Sequence, residues 1–391
     1  MKILVLNYEF PPIGGGASPV SKDIAIQLHK LGHEVVVLTM GFEDLPEKEL
    51  VDGVWVYRLK CLRSKKNVCK PWEQYTYILA VRLFMKSHVE LQKFDVCHAH
   101  FIIPTAEAAR WIKKSYGIPY VITAHGSDVE GHNQKIFMKM MHKVLRGEWR
   151  RIVDASEGVI APSEYLMDLM KRNYPAGKYL YISNGIDWEK YHALSAKNTK
   201  QKKILVMGRL QKFKNVQTII RAISVTEMQG WQVDVLGDGP YKKELMLLVE
   251  ELNLQDRISF HGWLDHGTKE QMDYLEHASV YITASQFENC PMAVIEAIAA
   301  GCYPLLSNIP GHRQFVDDND YFFEAEDSIE LSKRLTDILM KEPVEIASCL
   351  DVYEYDWSRI IYLYDKKLRE INMCRKKGAH NDNIRQKRID R

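Results

Sequence analysis

Several common classes find little support in this sequence. Its 391 residues hold seven cysteines, at 61, 69, 97, 290, 302, 349 and 374, and no CxxC pair. Neither a disulfide framework nor a zinc site is indicated, and a reducing compartment fits best. No apolar run approaches the ~20 residues that span a bilayer. The run Ile3–Leu6 is too short for the apolar core of a signal peptide, so a cytoplasmic protein is expected. A net charge of +2 argues against a dedicated nucleic-acid binder. The first glycine cluster, IGGGAS at Ile13–Ser18, lacks the GxGxxG spacing of a dinucleotide fingerprint.

What is present is an ordinary globular composition, 46% hydrophobic and 27% charged, over a length that suits two domains. Lys2–Leu6 reads as a buried parallel strand. A glycine turn follows, then a helix capped by Ser18 with Pro19 at its first position, and HEVVVLT as a second strand. Further strands are expected at 54–59, 95–100, 120–124, 158–161 and 179–182, with helices at 74–92 and 105–116 and through Lys171. A polar linker, SAKNTKQKK, precedes a second alternating series with strands at 204–207, 232–236, 258–261, 279–283 and 303–306. Two such series imply two doubly wound α/β domains that bind ligands in a cleft outside their strand carboxyl ends. Residues 366–391 hold ten Lys/Arg against three Asp/Glu and few apolar groups, so most of this tail is expected to lack fixed structure.

Four short stretches carry the chemistry. In IGGGAS the glycines let backbone N–H groups approach a phosphate in front of a helix; a ligand-free flexible turn is the competing reading. In GRLQKFKN, Arg209 and Lys214 place two cations in a strand-to-helix loop, which suits a diphosphate. GDGP, at 237–240, reads as a structural turn, with a phosphate or ribose contact as the competing reading. In ENCPMAVIEAIAAG, Pro291 is placed to open a helix with Asn289 just before it, leaving the N–H groups of Met292, Ala293 and Val294 to hold an anion. Glu288 and Glu296 stand eight positions apart around that helix start. Carboxylates accept hydrogen bonds from vicinal hydroxyls, so one could grip sugar and the other ribose. For an isolated glutamate a capping or surface role is the commoner outcome.

Taken in order, Gly15-Gly16, HGSD at 125–128, APSEYL at 161–166, SNGID at 183–187, GRL with Lys214, GDGP and ENCPMAVIEAIAAG resemble the retaining glycosyltransferases of family 4, also called glycosyl transferases group 1. The resemblance spans nearly the whole chain. It implies the GT-B fold, two Rossmann-like domains facing across a cleft. The expected division is an acceptor-side domain at 1–183 with a crossover helix at about 357–373, a nucleotide-sugar domain at 184–356, and a basic tail at 374–391. The resemblance implies that Arg209 and Lys214 clamp the donor diphosphate. Glu288 would bind the transferred sugar, Glu296 the ribose, Gly16 a phosphate through its backbone, and His125 the sugar near the reacting carbon. Gly15, Asn289, Met292, Ala293 and Val294 complete the donor set, with His100 and Asp128 on the acceptor side. No metal or other cofactor is expected, because the two cations replace a metal's charge. The donor would be a UDP-, GDP- or ADP-sugar. Two departures stand out: Asn215 where many relatives have glycine, and Gln314 where many have glutamate.

The acceptor is expected to be a glycan or a lipid-linked sugar, in the synthesis of surface polysaccharide or glycolipid. An epimerase or another enzyme of this fold, or transfer to a soluble small molecule, are the alternatives. Two basic stretches suggest an anionic membrane surface. One is RLKCLRSKKNVCKPW at 58–72. The other is a helix carrying Lys135, Lys139, Lys143, Arg146 and Arg150, with Phe137, Met140, Met141, Val144 and Trp149 as apolar neighbours. His98 and His100, two apart on one strand, share a face; they could pair on a metal, line the acceptor side, or simply pack.

Overall fold

A computed structural model describes residues 1–132, 136–197, 199–346 and 350–389. The chain divides into two compact units, Met1–Ser183 with Ser358–Arg391, and Asn184–Trp357. The first contains β1 (Lys2–Leu6), α1 (Ala17–Lys30), β2 (Glu34–Met40), β3 (Lys48–Val51), β4 (Val54–Leu59), α2 (Pro71–Ser87), β5 (Val96–His100), α3 (Glu107–Tyr116), β6 (Tyr120–Thr123), α4 (Ile136–Ala155), β7 (Val159–Ala161), α5 (Glu164–Asn173) and β8 (Tyr179–Tyr181). The second contains α6 (Trp188–Ser195), β9 (Gln201–Met207), α7 (Val216–Val225), β10 (Gln232–Leu236), α8 (Lys242–Glu251), β11 (Ile258–Gly262), α9 (Lys269–His277), β12 (Ala278–Thr283), α10 (Met292–Ala299), β13 (Tyr303–Ser307), α11 (Pro310–Arg313), β14 (Phe322–Phe323) and α12 (Ser328–Leu339). α13 (Trp357–Ile389) then belongs, from Ser358, to the first unit.

The first sheet runs β3-β4-β2-β1-β5-β6-β7-β8, the second β11-β10-β9-β12-β13-β14. All pairings are parallel except β3 with β4. Strands covered on both faces must be apolar throughout. Accordingly Ile3–Leu6, Val35–Met40 and Ala278–Thr283 are buried without alternation. Chain order reverses between β1 and β5 in one sheet and between β9 and β12 in the other. At such a switch point successive connections leave to opposite faces and open a crevice at the strand carboxyl ends.

Some elements differ from expectation. α1 begins at Ala17 rather than after Ser18, because the Ser18 hydroxyl turns back to donate to the Ile13 carbonyl at 2.7 Å. α10 begins at Met292, one residue beyond Pro291. The 74–92 helix ends at Ser87, followed by a 3-10 turn at Val89–Lys93. The polar linker is shorter than expected: Ser195 ends α6 and Gln201–Lys203 open β9, and the described residues between them lie outside any helix or strand. The basic tail does not lose structure at 374, since α13 continues to Ile389. At its start Arg375 donates to the carbonyls of Phe94 and Asp95, at 2.8 and 3.0 Å. β3, β14, α6, α11 and α12 were not anticipated.

GDGP is a packing device. Leu210 N–H donates to the Asp238 carbonyl at 2.9 Å, and Gly208 N–H to Leu236 at 3.0 Å, so the GDGP loop lies directly against GRL. A Cβ at Gly237 would overlap the Gly208 carbonyl oxygen, and one at Gly239 the Leu210 backbone. Backbone cannot move aside as a side chain can. Gly237→Ala is therefore expected to destabilise the second unit by about 1–3 kcal/mol, read as a lower urea midpoint for its unfolding.

Candidate functional site

In the second unit the carboxyl ends of β9 and β12 are neighbours, and each feeds a short loop. The loop after β9 carries Arg209, half-buried, then a 3-10 turn, Lys212–Lys214. Asn215 follows with φ +57°, the left-handed region. Glycine takes that conformation most easily and asparagine next, so the departure from glycine preserves the turn. Asn215 also donates to the Ala325 carbonyl. The loop after β12 carries Glu288. The two loops are tied by Gln286 N–H to the Phe213 carbonyl at 2.9 Å and by stacking of Phe213 on Phe287, centroids 4.3 Å apart.

These ties bring Lys214 and Glu288 into a direct ion pair. Ser285 Oγ adds a hydrogen bond to the same carboxylate at 2.8 Å. Burial works to raise the Glu288 pKa, but Lys214, His312 and the two hydrogen bonds outweigh it and hold the carboxylate below its ordinary range. His312 lies fully buried nearby, its Nδ1 2.8 Å from the Ser307 carbonyl. Burial, opposed by Glu288, takes its pKa down to about 4. A Cβ at Gly311 would overlap the Glu288 carbonyl, so only glycine lets this loop close over Glu288. Gln314 donates to the carbonyls of Asn289 and Gly311, at 2.7 and 2.8 Å. A glutamate there would set charge against two carbonyl oxygens, which accounts for the second departure.

Beyond Glu288, α10 presents the N–H groups of Met292 and Ala293. Val294 N–H is committed to the Pro291 carbonyl at 3.1 Å, so it is not the free donor expected. Glu296 is only 3% exposed. His266 Nδ1 meets one of its oxygens at 2.9 Å, Gln271 Nε2 donates to the other at 3.1 Å, and Tyr191 adds a further hydrogen bond. Burial raises its pKa and these partners, led by His266, more than reverse the effect. The sequence suggested an open carboxylate; the structure gives one with internal partners on both oxygens. His266, Gln271, Ser285 and His312 were not anticipated: three of them act on Glu288 or Glu296 across 24 to 30 positions, and Ser285, three residues before Glu288, is a local hydroxyl that the pattern did not single out.

In the first unit the corresponding ends are those of β1, β5 and β6. Gly15 N–H donates to Glu9 Oε2 at 3.0 Å, so that amide is already committed. Gly16 differs: its φ of −62° is ordinary for any residue and nothing lies within 4 Å of a Cβ built there. Neither backbone nor packing demands glycine at 16. Asp128 is 7% exposed, accepting from Ile102 N–H at 2.8 Å and His125 N–H at 3.0 Å. It therefore shapes the HGSD turn, and burial still raises its pKa despite those donors. His100 Nδ1 lies 3.1 Å from His125 Nε2. Burial brings the pKa values of His98 and His125 to about 3, and that of His100 well below its ordinary value. All three are thus neutral imidazoles at physiological pH. Among the described residues no three His, Cys, Asp or Glu side chains converge as a metal site.

Two family models match this chain. Glycosyltransferase Family 4 covers residues 14–190, and Glycosyl transferases group 1 covers residues 187–353. The chain belongs to the family 4 glycosyltransferases. It is 26% identical over 390 residues to an uncharacterised glycosyltransferase of Methanocaldococcus jannaschii, covering 92% of this chain and 96% of that one. It is 23% identical over 401 residues to the GDP-mannose:cellobiosyl-diphosphopolyprenol alpha-mannosyltransferase of Komagataeibacter xylinus, covering 95% and 93%. The structure of sucrose-phosphate synthase from Thermosynechococcus elongatus superposes with a TM-score of 0.74 at 17% identity, over 96% of this glycosyltransferase and 100% of that chain. The fold is GT-B.

Removing Lys214 would leave Glu288 buried and unpaired. Lys214→Met is expected to cost toward the lower end of about 3–5 kcal/mol near neutral pH. The sign follows from linkage. In the native protein the folded pKa of Glu288 lies below its ordinary 4.5, so its contribution is full above 4.5 and is lost as pH falls through the lower folded value. In the variant burial dominates and the folded pKa rises above 4.5, so the deficit should shrink as pH falls through that region. Unfolding midpoints measured from pH 7 downward for both proteins test this; a deficit that is independent of pH would contradict it.

Proposed function

We propose that this glycosyltransferase acts with retention, moving a sugar from a UDP-, GDP- or ADP-sugar to a hydroxyl of a glycan or lipid-linked acceptor in surface polysaccharide or glycolipid synthesis. The reading is carried by one observation: a fixed ammonium, Lys214, anchored on Glu288 at the switch point of the unit that matches the group 1 model. Arg209 and Lys214 bind the diphosphate, with the Met292 and Ala293 N–H groups beside them. Glu288 accepts from hydroxyls of the transferred sugar through its remaining oxygen. Ribose hydroxyls engage Glu296 in exchange for His266, whose side chain is one-third exposed. Gly16 admits a phosphate to its backbone, and His125 contacts the transferred sugar. The polyprenyl-linked acceptor in the name of the Komagataeibacter relative supports the lipid-linked class.

In this reaction the bond from C1 of the sugar to the diphosphate breaks and its electron pair passes to a phosphate oxygen. The acceptor oxygen bonds C1 on the same face, and the hydroxyl proton goes to the departing phosphate. Charge grows on the leaving group, so preorganised cations supply the main catalytic term. They do so without a metal in this reading. Arg209→Ala and Lys214→Ala are each expected to lower turnover on the order of 10²-fold. The assay follows nucleoside diphosphate released from a donor panel with and without acceptor. Release that ignores the acceptor, or full activity in both variants, would refute the reading.

We also propose that the first unit docks on anionic membrane. No described helix is long and apolar enough to cross one. The support lies on α2, where Trp72, Tyr75, Leu79 and Leu83 recur at helical spacing and are 41–69% exposed. Lys65, Lys66 and Lys86 are exposed in the preceding loop and on the helix. An apolar stripe flanked by cations suits the headgroup boundary. The α4 helix is a weaker candidate than its sequence suggested. Arg146 is paired with Glu130 and Trp149 is buried, although Met140 and Val144 are exposed. Lys135 lies outside the described residues. Of the basic stretch before α2, Arg58 and Arg63 are buried internal partners. Vesicles rich in anionic phospholipid should co-sediment the protein at low salt, and Trp72→Glu with Leu83→Glu should abolish this. No pelleting of the native chain would end the idea.

A further inference from the structure

The carboxyl ends of β5 and β6 hold three imidazoles whose hydrogen bonds are unevenly satisfied. His98 and His100 stand on one face of β5 with ring centroids 4.4 Å apart, and His100 stacks on His125 at 5.3 Å. His98 Nε2 meets Thr123 Oγ1 at 2.8 Å, and His100 Nδ1 meets His125 Nε2 at 3.1 Å. His98 Nδ1 and His100 Nε2 are buried and have no hydrogen-bond partner among the described residues. His100 is fully buried, whereas His125 is partly exposed.

A contact between two imidazole nitrogens needs one N–H and one lone pair, and a neutral ring has one of each. Two arrangements are available. If His125 Nε2–H donates, His100 carries its own proton on Nε2, as a buried N–H with no acceptor. If His100 Nδ1–H donates, the buried His100 Nε2 is a bare lone pair, and His125 carries its proton on Nδ1. Orphaned buried N–H groups are the rarer kind of defect, so the second arrangement is favoured. It also leaves the proton of His125 on the nitrogen that His100 does not occupy.

We infer that His100 is a positioning residue, which donates from Nδ1 to His125 Nε2 and fixes His125 as the tautomer protonated at Nδ1. His125 then offers a substrate oxygen a neutral hydrogen-bond donor. It is no general base, since its lone pair is engaged. This rests on the reading of His125 as a substrate contact, and it agrees with a reaction whose acceptor proton leaves on the phosphate.

Two measurements test it on the full chain. Long-range ¹H–¹⁵N correlation spectra of protein labelled at histidine report tautomers directly, with the His125 signals assigned by their loss in His125→Gln. An Nδ1 proton on His125 is expected, and an Nε2 proton would overturn the inference whatever the activity. The second is kinetic. The amide nitrogen of His100→Asn falls near the place of Nδ1 and restores a donor, while His100→Leu does not. His100→Leu should lose ~10-fold in kcat and in kcat/KM alike, with His100→Asn recovering most of it. A leucine variant as active as the native chain, or an asparagine variant as impaired as the leucine one, would overturn the role. A folded chain with the Nδ1 proton in place but no transfer from any donor would instead refute the substrate role of His125 and leave the contact standing.

Discussion

A carboxylate largely withdrawn from water keeps its charge where cations and hydrogen-bond donors outweigh the cost of burial, and that constraint organises the second unit. Glu288 and Lys214 are 74 positions apart in the ion pair, and neither loop could hold its charged group alone. The pair needs two strands side by side, an aromatic stack between their loops, and a glycine at 311 that lets a third segment close over Glu288. The switch in strand order supplies the first of these. The other two are side-chain choices made on top of the fold. The result is an ammonium whose position is fixed before any ligand arrives, the property that electrostatic catalysis requires.

Much of this fold was legible in sequence because its strands are covered on both faces. Apolar runs such as KILVL and EVVVLTM have no surface on which a polar residue could alternate. The missed strands are those that break this rule or are very short. β3, KELV, is the lone antiparallel strand and is half exposed; β14 is two residues long. The tail misled for a different reason. Its composition lacks apolar groups, yet it continues a helix already begun, and Arg375 near its start donates to two carbonyls in part-buried contacts.

The candidate site was legible as a set of residue types and not as a set of contacts. Sequence placed Lys214 in a strand-to-helix loop and Glu288 just before a helix start, but the adjacency of those loops and hydrogen-bond accounting lie beyond pattern. Gly15 and Val294 have the expected positions, and their N–H groups are already spent on Glu9 and Pro291. Gly16 is the more informative glycine, since nothing inside the protein explains it. The departures at Asn215 and Gln314 were visible in sequence and could not be interpreted there. A left-handed backbone and a pair of acceptor carbonyls show that each keeps the local geometry.

The two units manage polarity in opposite ways. At the strand ends of the second unit burial is overcome, so Glu288 and Glu296 stay ionised beside partners. At those of the first unit burial wins, and His98, His100 and His125 stay neutral while Asp128 becomes harder to ionise. A group that must receive negative charge belongs with fixed cations, because only they gain strength as that charge grows. A group that must orient a hydroxyl without taking its proton belongs among neutral donors and acceptors of fixed tautomer. The histidines of the first unit can thus be placed for geometry, while the lysine of the second is placed for charge.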